Sequence, residues 1–139
     1  MFKYPKVNYI GNKEKIAQWI CDQFPKDAET LFDAFSGGCS LSYEAKCRGL
    51  EVYTNDILEI NYHIANALIK NNKSLLNKED IDIIFSGKPF EGFMFDNYSE
   101  VYFFLEECKE LDLYRKNIEK LDSEEKKSLA FSLIRRAMI

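Results

Sequence analysis

The residues with chemistry to offer lie in two short stretches. Asp33-Ala34-Phe35-Ser36-Gly37-Gly38 sets a carboxylate ahead of a glycine pair, and Asn55-Asp56 sets a second carboxylate 19 residues beyond Gly37. Glycines at a turn let a ligand approach the backbone where a side chain would block it. A carboxylate closing the next strand can accept hydrogen bonds from two ribose hydroxyls, and the spacing is close to the ~20 residues expected of such a group. The bland reading of the same residues is an ordinary turn and a helix cap, and only the elements around them can decide between the two.

Other chemistries find little support. The four cysteines (Cys21, Cys39, Cys47, Cys108) show no C-x-x-C spacing and His63 is the only histidine, so a zinc site is not expected and packed, reduced thiols are. Apolar residues make up 46% of the 139-residue chain and aromatic ones 14%, which fits a folded globule. No window reaches the ~20 uninterrupted apolar residues of a membrane span, and the start lacks the pattern of a secretory signal. A cytoplasmic location is the expectation. Net charge is −4, divided as +3 over residues 1–26, −7 over 27–100 and zero beyond. An acidic middle suits a cofactor domain whose nucleic-acid surface lies elsewhere, and composition alone does not suggest DNA.

The elements make the case stronger. Ile16, Trp19, Ile20 and Phe24 recur at helical spacing between Asn12, a candidate N-cap, and Pro25, which places Trp19 in the core. Thr30 to Phe35 reads as a buried strand, broken by Ser36-Gly37-Gly38. Cys39 to Cys47 reads as a helix ended by Arg48-Gly49, and Glu51 to Thr54 as a second strand halted at Asn55-Asp56. Ile57, Ile60, Ile64 and Leu68 mark a third helix, with Asp56 and Glu59 spaced as a capping box. Strand, glycine turn, helix, strand, acidic residue, helix opens a parallel α/β sheet. A right-handed crossover brings both strand ends to one edge, where Asp33, Gly37, Gly38 and Asp56 converge on a crevice. Beyond Asn71, Ile81 to Phe85 is either a helical turn or a short strand, 87–92 is loop, and Tyr98 to Leu113 and Asp122 to Arg136 are helical. Glu124-Glu125-Lys126-Lys127 is expected to be a solvated helix face.

With the paired strands and the spaced carboxylate, the cofactor reading moves ahead of the turn-and-cap reading. The dinucleotide pattern G-x-G-x-x-G fails, because Cys39 and Ser42 occupy its later glycine positions, and no G-x-x-x-x-G-K-[S/T] phosphate loop occurs. A nucleoside cofactor without phosphates, such as S-adenosylmethionine, fits the turn better.

Three pieces, in order, resemble the DNA adenine-N6 methyltransferases whose cofactor motifs come first and whose catalytic tetrapeptide comes last. Asn8-Tyr9-Ile10-Gly11-Asn12-Lys13 is similar to their aromatic-x-Gly-Gly-Lys motif, Asp33 to Ser40 to their acidic-x-Phe-x-Gly-x-Gly-Ser loop, and Asn55-Asp56-Ile57 to their Asn-Asp-Ile. The resemblance covers the first half of the chain. It implies that Tyr9, Gly11 and Lys13 lie against the methionine end of S-adenosylmethionine. Asp33, Phe35, Gly37, Gly38, Cys39 and Ser40 then form the loop under the cofactor, and Asp56 takes the ribose beside Ile57. Tyr9 and Lys13 are equally well read as an aromatic at a helix start and a surface lysine. Two departures stand out: Asn12 replaces a common second glycine, and Cys39 replaces the last glycine of the loop, bringing a small side chain near the cofactor.

The implied fold is α/β, a Rossmann-like methyltransferase sheet that is incomplete and is followed by a mainly helical segment. Residues 1–72 form the cofactor-binding part, and 73–139 lead into or belong to the target-recognition region. The implied reaction is attack by the adenine N6 amine on the sulfonium methyl, with the base flipped out of double-stranded DNA. That step uses Asp/Asn-Pro-Pro-aromatic, yet the only prolines are Pro5, Pro25 and Pro89, no two adjacent. The chain therefore reads as a truncated portion, inert alone, of an enzyme of restriction–modification type, with a second chain as one source of the missing half. Two other readings remain open. One is an S-adenosylmethionine-dependent transferase acting on RNA or a small molecule, and the other is a non-catalytic nucleotide-binding subunit.

Overall fold

The strands Thr30–Asp33 (β1) and Glu51–Thr54 (β2) pair in parallel, Thr30 opposite Glu51 and Asp33 opposite Thr54. The structure, a computed structural model, describes residues 3–5, 7 and 10–138. Ser40–Cys47 (α2) makes the crossover between the strands and packs on both. Gly49 ends this helix at φ 91°, a left-handed conformation that glycine adopts without strain. The strands have one covered and one open face. Leu31 and Val52 are half-buried, whereas the neighbouring Phe32 and Tyr53 are 65% and 53% exposed. β1 is thus a half-buried strand and not the fully buried one its apolar run suggests.

Before the sheet, the helix is shorter than its periodicity predicts. Residues 10–16 are turns and extended chain, and α1 spans Ala17–Asp22. Asn12 caps a local turn by accepting the Glu14 N–H at 3.0 Å, but the helix begins after Ile16 with no side-chain cap. Its buried stripe is the small pair Ala17 and Cys21, facing α2, and Trp19 is 63% exposed rather than in the core. Small residues let the two short helices approach closely, and the bulkier stripe is turned outward.

After β2, Glu59–Ala65 (α3) runs into a π-helical turn at Asn66–Lys70. The Asp56/Glu59 capping box does not form. Leu58 occupies the N-cap position, and Asp56 accepts from Leu58 N–H instead. Four helices follow: Lys78–Phe85 (α4), Phe93–Tyr98 (α5), Leu105–Ile118 (α6) and Glu124–Ala137 (α7). α4 starts with a capping box between Asn77 and Asp80, which settles 81–85 as helix. The predicted helix from Tyr98 starts at Leu105, because the chain turns back at Glu100, where φ is 58°. Lys126 is not a solvated surface group, since it reaches the buried Asp80 at 3.0 Å.

Two apolar clusters result. Cys39, Ile64 and Ile69, with Tyr43 and Val52, fill the space under the sheet. Ile84, Ile118, Leu121 and Ala130 fill the helical half. α7 packs against α3 and the π turn and so joins the halves. All four cysteines are free thiols, three of them buried. No helix among the described residues is long and apolar enough to cross a membrane.

Candidate functional site

The turns after β1 and β2 are stitched together at the carboxyl edge of the sheet. Asn55 donates its N–H to Asp33 O at 2.9 Å, and Ser36 N–H returns to Asn55 O at 3.0 Å. The Asn55 side-chain amide holds Ala34 O at 3.0 Å. Gly37 then donates its N–H to Asp56 Oδ2 at 2.8 Å. Gly37 lies at φ 51°, a region that costs glycine nothing. Asp33, Gly37, Gly38 and Asp56 are thereby brought to one edge.

Asp56 is held on both oxygens. Oδ1 accepts from Leu58 N–H at 3.0 Å and from the Asn61 side-chain amide at 2.8 Å. Partial burial pushes its carboxyl upward, but the hydrogen bonds from Asn61 and from the Leu58, Gly37 and Ile57 backbones outweigh this and hold it below the usual carboxylate range. Asp33 is placed differently. Its Oδ2 accepts the Ser42 hydroxyl at 2.6 Å, tying the end of β1 to α2.

Cys39 has φ 61°, in the left-handed region, and is fully buried. Its side chain packs with Ile64 and Ile69, inside the core and away from the crevice. Burial pushes the thiol up to about 12, against the lowering effect of the Ser36 hydrogen bond, and the nearby Asp33 and Asp56 carboxylates each raise it by less. Ser40, also buried, begins α2. Phe35 and Ile57 are 84% and 96% exposed, two apolar side chains flanking the stitched turns. The edge therefore offers one carboxylate acceptor and two exposed apolar side chains, beside a glycine turn whose own backbone is buried.

The amino-terminal motif is placed in part. Gly11, at φ 81°, and Lys13 are exposed, and Tyr9 lies outside the described residues. The segment meets the glycine turn through a residue the sequence reading passed over. Tyr4 donates its hydroxyl to Gly38 O and sets its ring edge-on to Tyr43 at 5.7 Å. Burial pushes the Tyr4 hydroxyl well above its ordinary value. A cavity of about 350 Å³ adjoins this contact, lined by Lys3, Tyr4, Glu14, Ser40, Tyr43 and Glu44 among others. Asn61 was also missed, though its spacing three residues from Ile64 puts it on the apolar side of α3 and signals a buried amide. Among the described residues no group of three or more His, Cys, Asp or Glu is placed to hold a metal ion.

Residues 9–138 match the D12 class N6 adenine-specific DNA methyltransferase family. Type II methyltransferase M2.HphI of Haemophilus parahaemolyticus is 63% identical over 137 residues, covering 99% of this chain and 41% of that protein. Type II methyltransferase M.CviAII of Paramecium bursaria Chlorella virus 1 is 30% identical over 129 residues, covering 84% of this chain and 39% of that protein. No solved structure matches. The chain thus spans about two-fifths of the length of these curated relatives. It belongs to the D12 class of N6 adenine-specific DNA methyltransferases.

Proposed function

We propose that this chain binds S-adenosylmethionine at the carboxyl edge of its sheet, as the cofactor-holding part of an enzyme that methylates adenine N6 in double-stranded DNA. The observation that carries the reading is the Asp56–Gly37 hydrogen bond, which sets a ribose acceptor beside a backbone free of side chains. Asp56 Oδ2 takes a ribose hydroxyl, Phe35 and Ile57 face the two sides of the adenine, and Gly37, Gly38, Cys39 and Ser40 supply close backbone. Asp33 braces the loop through Ser42. Tyr9, Gly11 and Lys13 serve the methionine end. The bound cofactor supplies an electrophilic methyl group on a sulfonium, and the chain's own residues hold and orient it.

The two strands begin a Rossmann-like sheet, and residues 73–139 lead into the target-recognition region. Both relatives are named as type II methyltransferases, which supports a restriction–modification role in the cytoplasm. The catalytic Pro-Pro-aromatic element comes from sequence outside residues 1–139, on the same or a second polypeptide. Calorimetric titration with S-adenosylmethionine, S-adenosylhomocysteine, NAD and ATP tests the cofactor. Binding of the two methyl-cycle ligands alone is expected, and tighter binding of NAD would overturn the reading.

A further inference from the structure

We infer that Asn61 is the positioning residue of the ribose-binding carboxylate, a fully buried amide whose Nδ2 donates to Asp56 Oδ1 at 2.8 Å and so fixes which oxygen faces the cofactor. The inference rests on the proposed cofactor reading and deepens it.

Asn61 stands on the apolar side of α3, one residue after Ile60 and three before the buried Ile64. Burying an amide at such a position is costly unless it is hydrogen-bonded, and an apolar residue would fill the space without that cost. What the amide provides is orientation. The last torsion of an aspartate is broad and nearly two-fold, so a lone carboxylate rotates readily and exchanges its oxygens. Leu58 N–H and Asn61 Nδ2 together occupy Oδ1. Oδ2 is then directed at Gly37 N–H, on the side of the glycine turn. Asn61 is fully buried, and its contact with Asp56 is what links it to the crevice.

The test compares two ligands, S-adenosylhomocysteine and its 2′,3′-dideoxy analogue, titrated calorimetrically into residues 1–139. The unmodified chain is expected to prefer the ribose form by roughly ten-fold or more, the usual worth of a hydrogen bond to a charged acceptor. In Asn61→Ala and in Asn61→Leu, which fills a similar space and removes the donor, the preference should fall to about three-fold or less. A purely structural role for Asn61 weakens both ligands alike and leaves the preference intact, and that result would overturn the inference. If neither variant folds, isotope-labelled unmodified chain decides. The Asn61 side-chain amide signal should move with the ribose ligand and stay in place with the dideoxy one, and equal movement with both counts against the inference. Absence of any binding by the unmodified chain is a different failure, that of the cofactor reading itself.

Discussion

Asp56 Oδ2 accepts the Gly37 backbone N–H at 2.8 Å, so the carboxylate that closes β2 also holds the turn that follows β1. One carboxylate therefore links the two turns. The same group caps the entry to α3 through Leu58. Gly37, Leu58 and Asn61 thus all hold this carboxylate from inside the protein.

A pH dependence follows from that arrangement. Burial raises the Asp56 carboxyl, but the Asn61 amide and the Leu58, Gly37 and Ile57 backbones lower it by more, so its folded value lies below the unfolded one. An unfolded aspartate titrates near ~3.9. The unfolded chain therefore takes up the proton first. Asp56 adds stability at pH values above ~3.9 and loses that contribution as pH falls through its depressed folded value. Asp56→Asn has no such titration. The difference in melting temperature between the two proteins should be constant from pH 7 to about pH 5 and shrink below about pH 4. A difference that stays constant down to pH 3 would show that the charge of Asp56 contributes nothing to the folded state.

Cys39 sets packing against backbone strain. Its left-handed φ of 61° costs an L residue roughly 1–2 kcal/mol, while its thiol is fully buried among Ile64 and Ile69. Cys39→Ala loses the sulfur contacts and keeps the strain. Cys39→Gly loses slightly more packing and about 0.4–1 kcal/mol through the freer unfolded chain, but it relieves the strain. Urea unfolding should find the glycine variant at least as stable as the alanine one, reversing the usual order. An alanine variant more stable by over ~1 kcal/mol would mean the left-handed backbone is not a constraint at this position.

The local signals were legible and the ones depending on distant partners were not. β2, α2 and the glycine turn follow from short apolar runs and punctuating Gly and Asn residues, and the structure has them at the expected positions. Helical periodicity located α1 but chose the wrong stripe, because spacing does not say whether the large residues (Ile16, Trp19) or the small ones (Ala17, Cys21) meet α2. The expected cap at Asp56 and Glu59 fails because one Asp56 oxygen is committed to Gly37, a residue far away in sequence. Lys126 looked solvated in a run of charges, and its partner Asp80 lies 46 residues earlier. α5 was not foreseen at all. Its aromatic sequence carries no clean period, and its support comes from α6.

That support is concentrated on Asp112. This buried carboxylate accepts the backbone N–H groups of Gly92, Met94 and Phe95 at 3.1, 2.9 and 3.0 Å, the open amides at the start of α5. Lys109 and Arg115 add cation–π contacts over Phe95 and Phe93 at 5.1 and 5.5 Å. Asp112→Ala leaves three donors without their acceptor, at roughly 1–3 kcal/mol for each that water does not reach. Hydrogen exchange should show the three amides losing protection while those around Ile84 and Ile118 keep theirs. Gly92→Ala should do the same by a different route, since its Cβ would sit 2.9 Å from Asp112 Cγ. Uniform loss of protection across the whole chain would instead make Asp112 part of the global folding unit.

The last prediction concerns methyl transfer. Residues 1–139 should transfer no methyl group to adenine in double-stranded DNA at any cofactor concentration. The reason is geometric and not a matter of affinity. Pro5, Pro25 and Pro89 are the only prolines and none are adjacent, so no Asp/Asn-Pro-Pro-aromatic element is present to accept the N6 protons and stack the flipped base. Orientation of the reacting groups accounts for several kcal/mol of a barrier, so turnover without it falls below detection. M2.HphI, 63% identical over this region, offers a way to supply the remainder. Its residues beyond the matched segment, joined to this chain or added as a complementing polypeptide, should restore labelling of adenine N6 from tritiated cofactor. Robust labelling of DNA by residues 1–139 alone would place the catalytic groups within the helices described above. Labelling of RNA or a small molecule, and never of DNA, by the completed protein would remove DNA as its substrate while leaving the cofactor site intact.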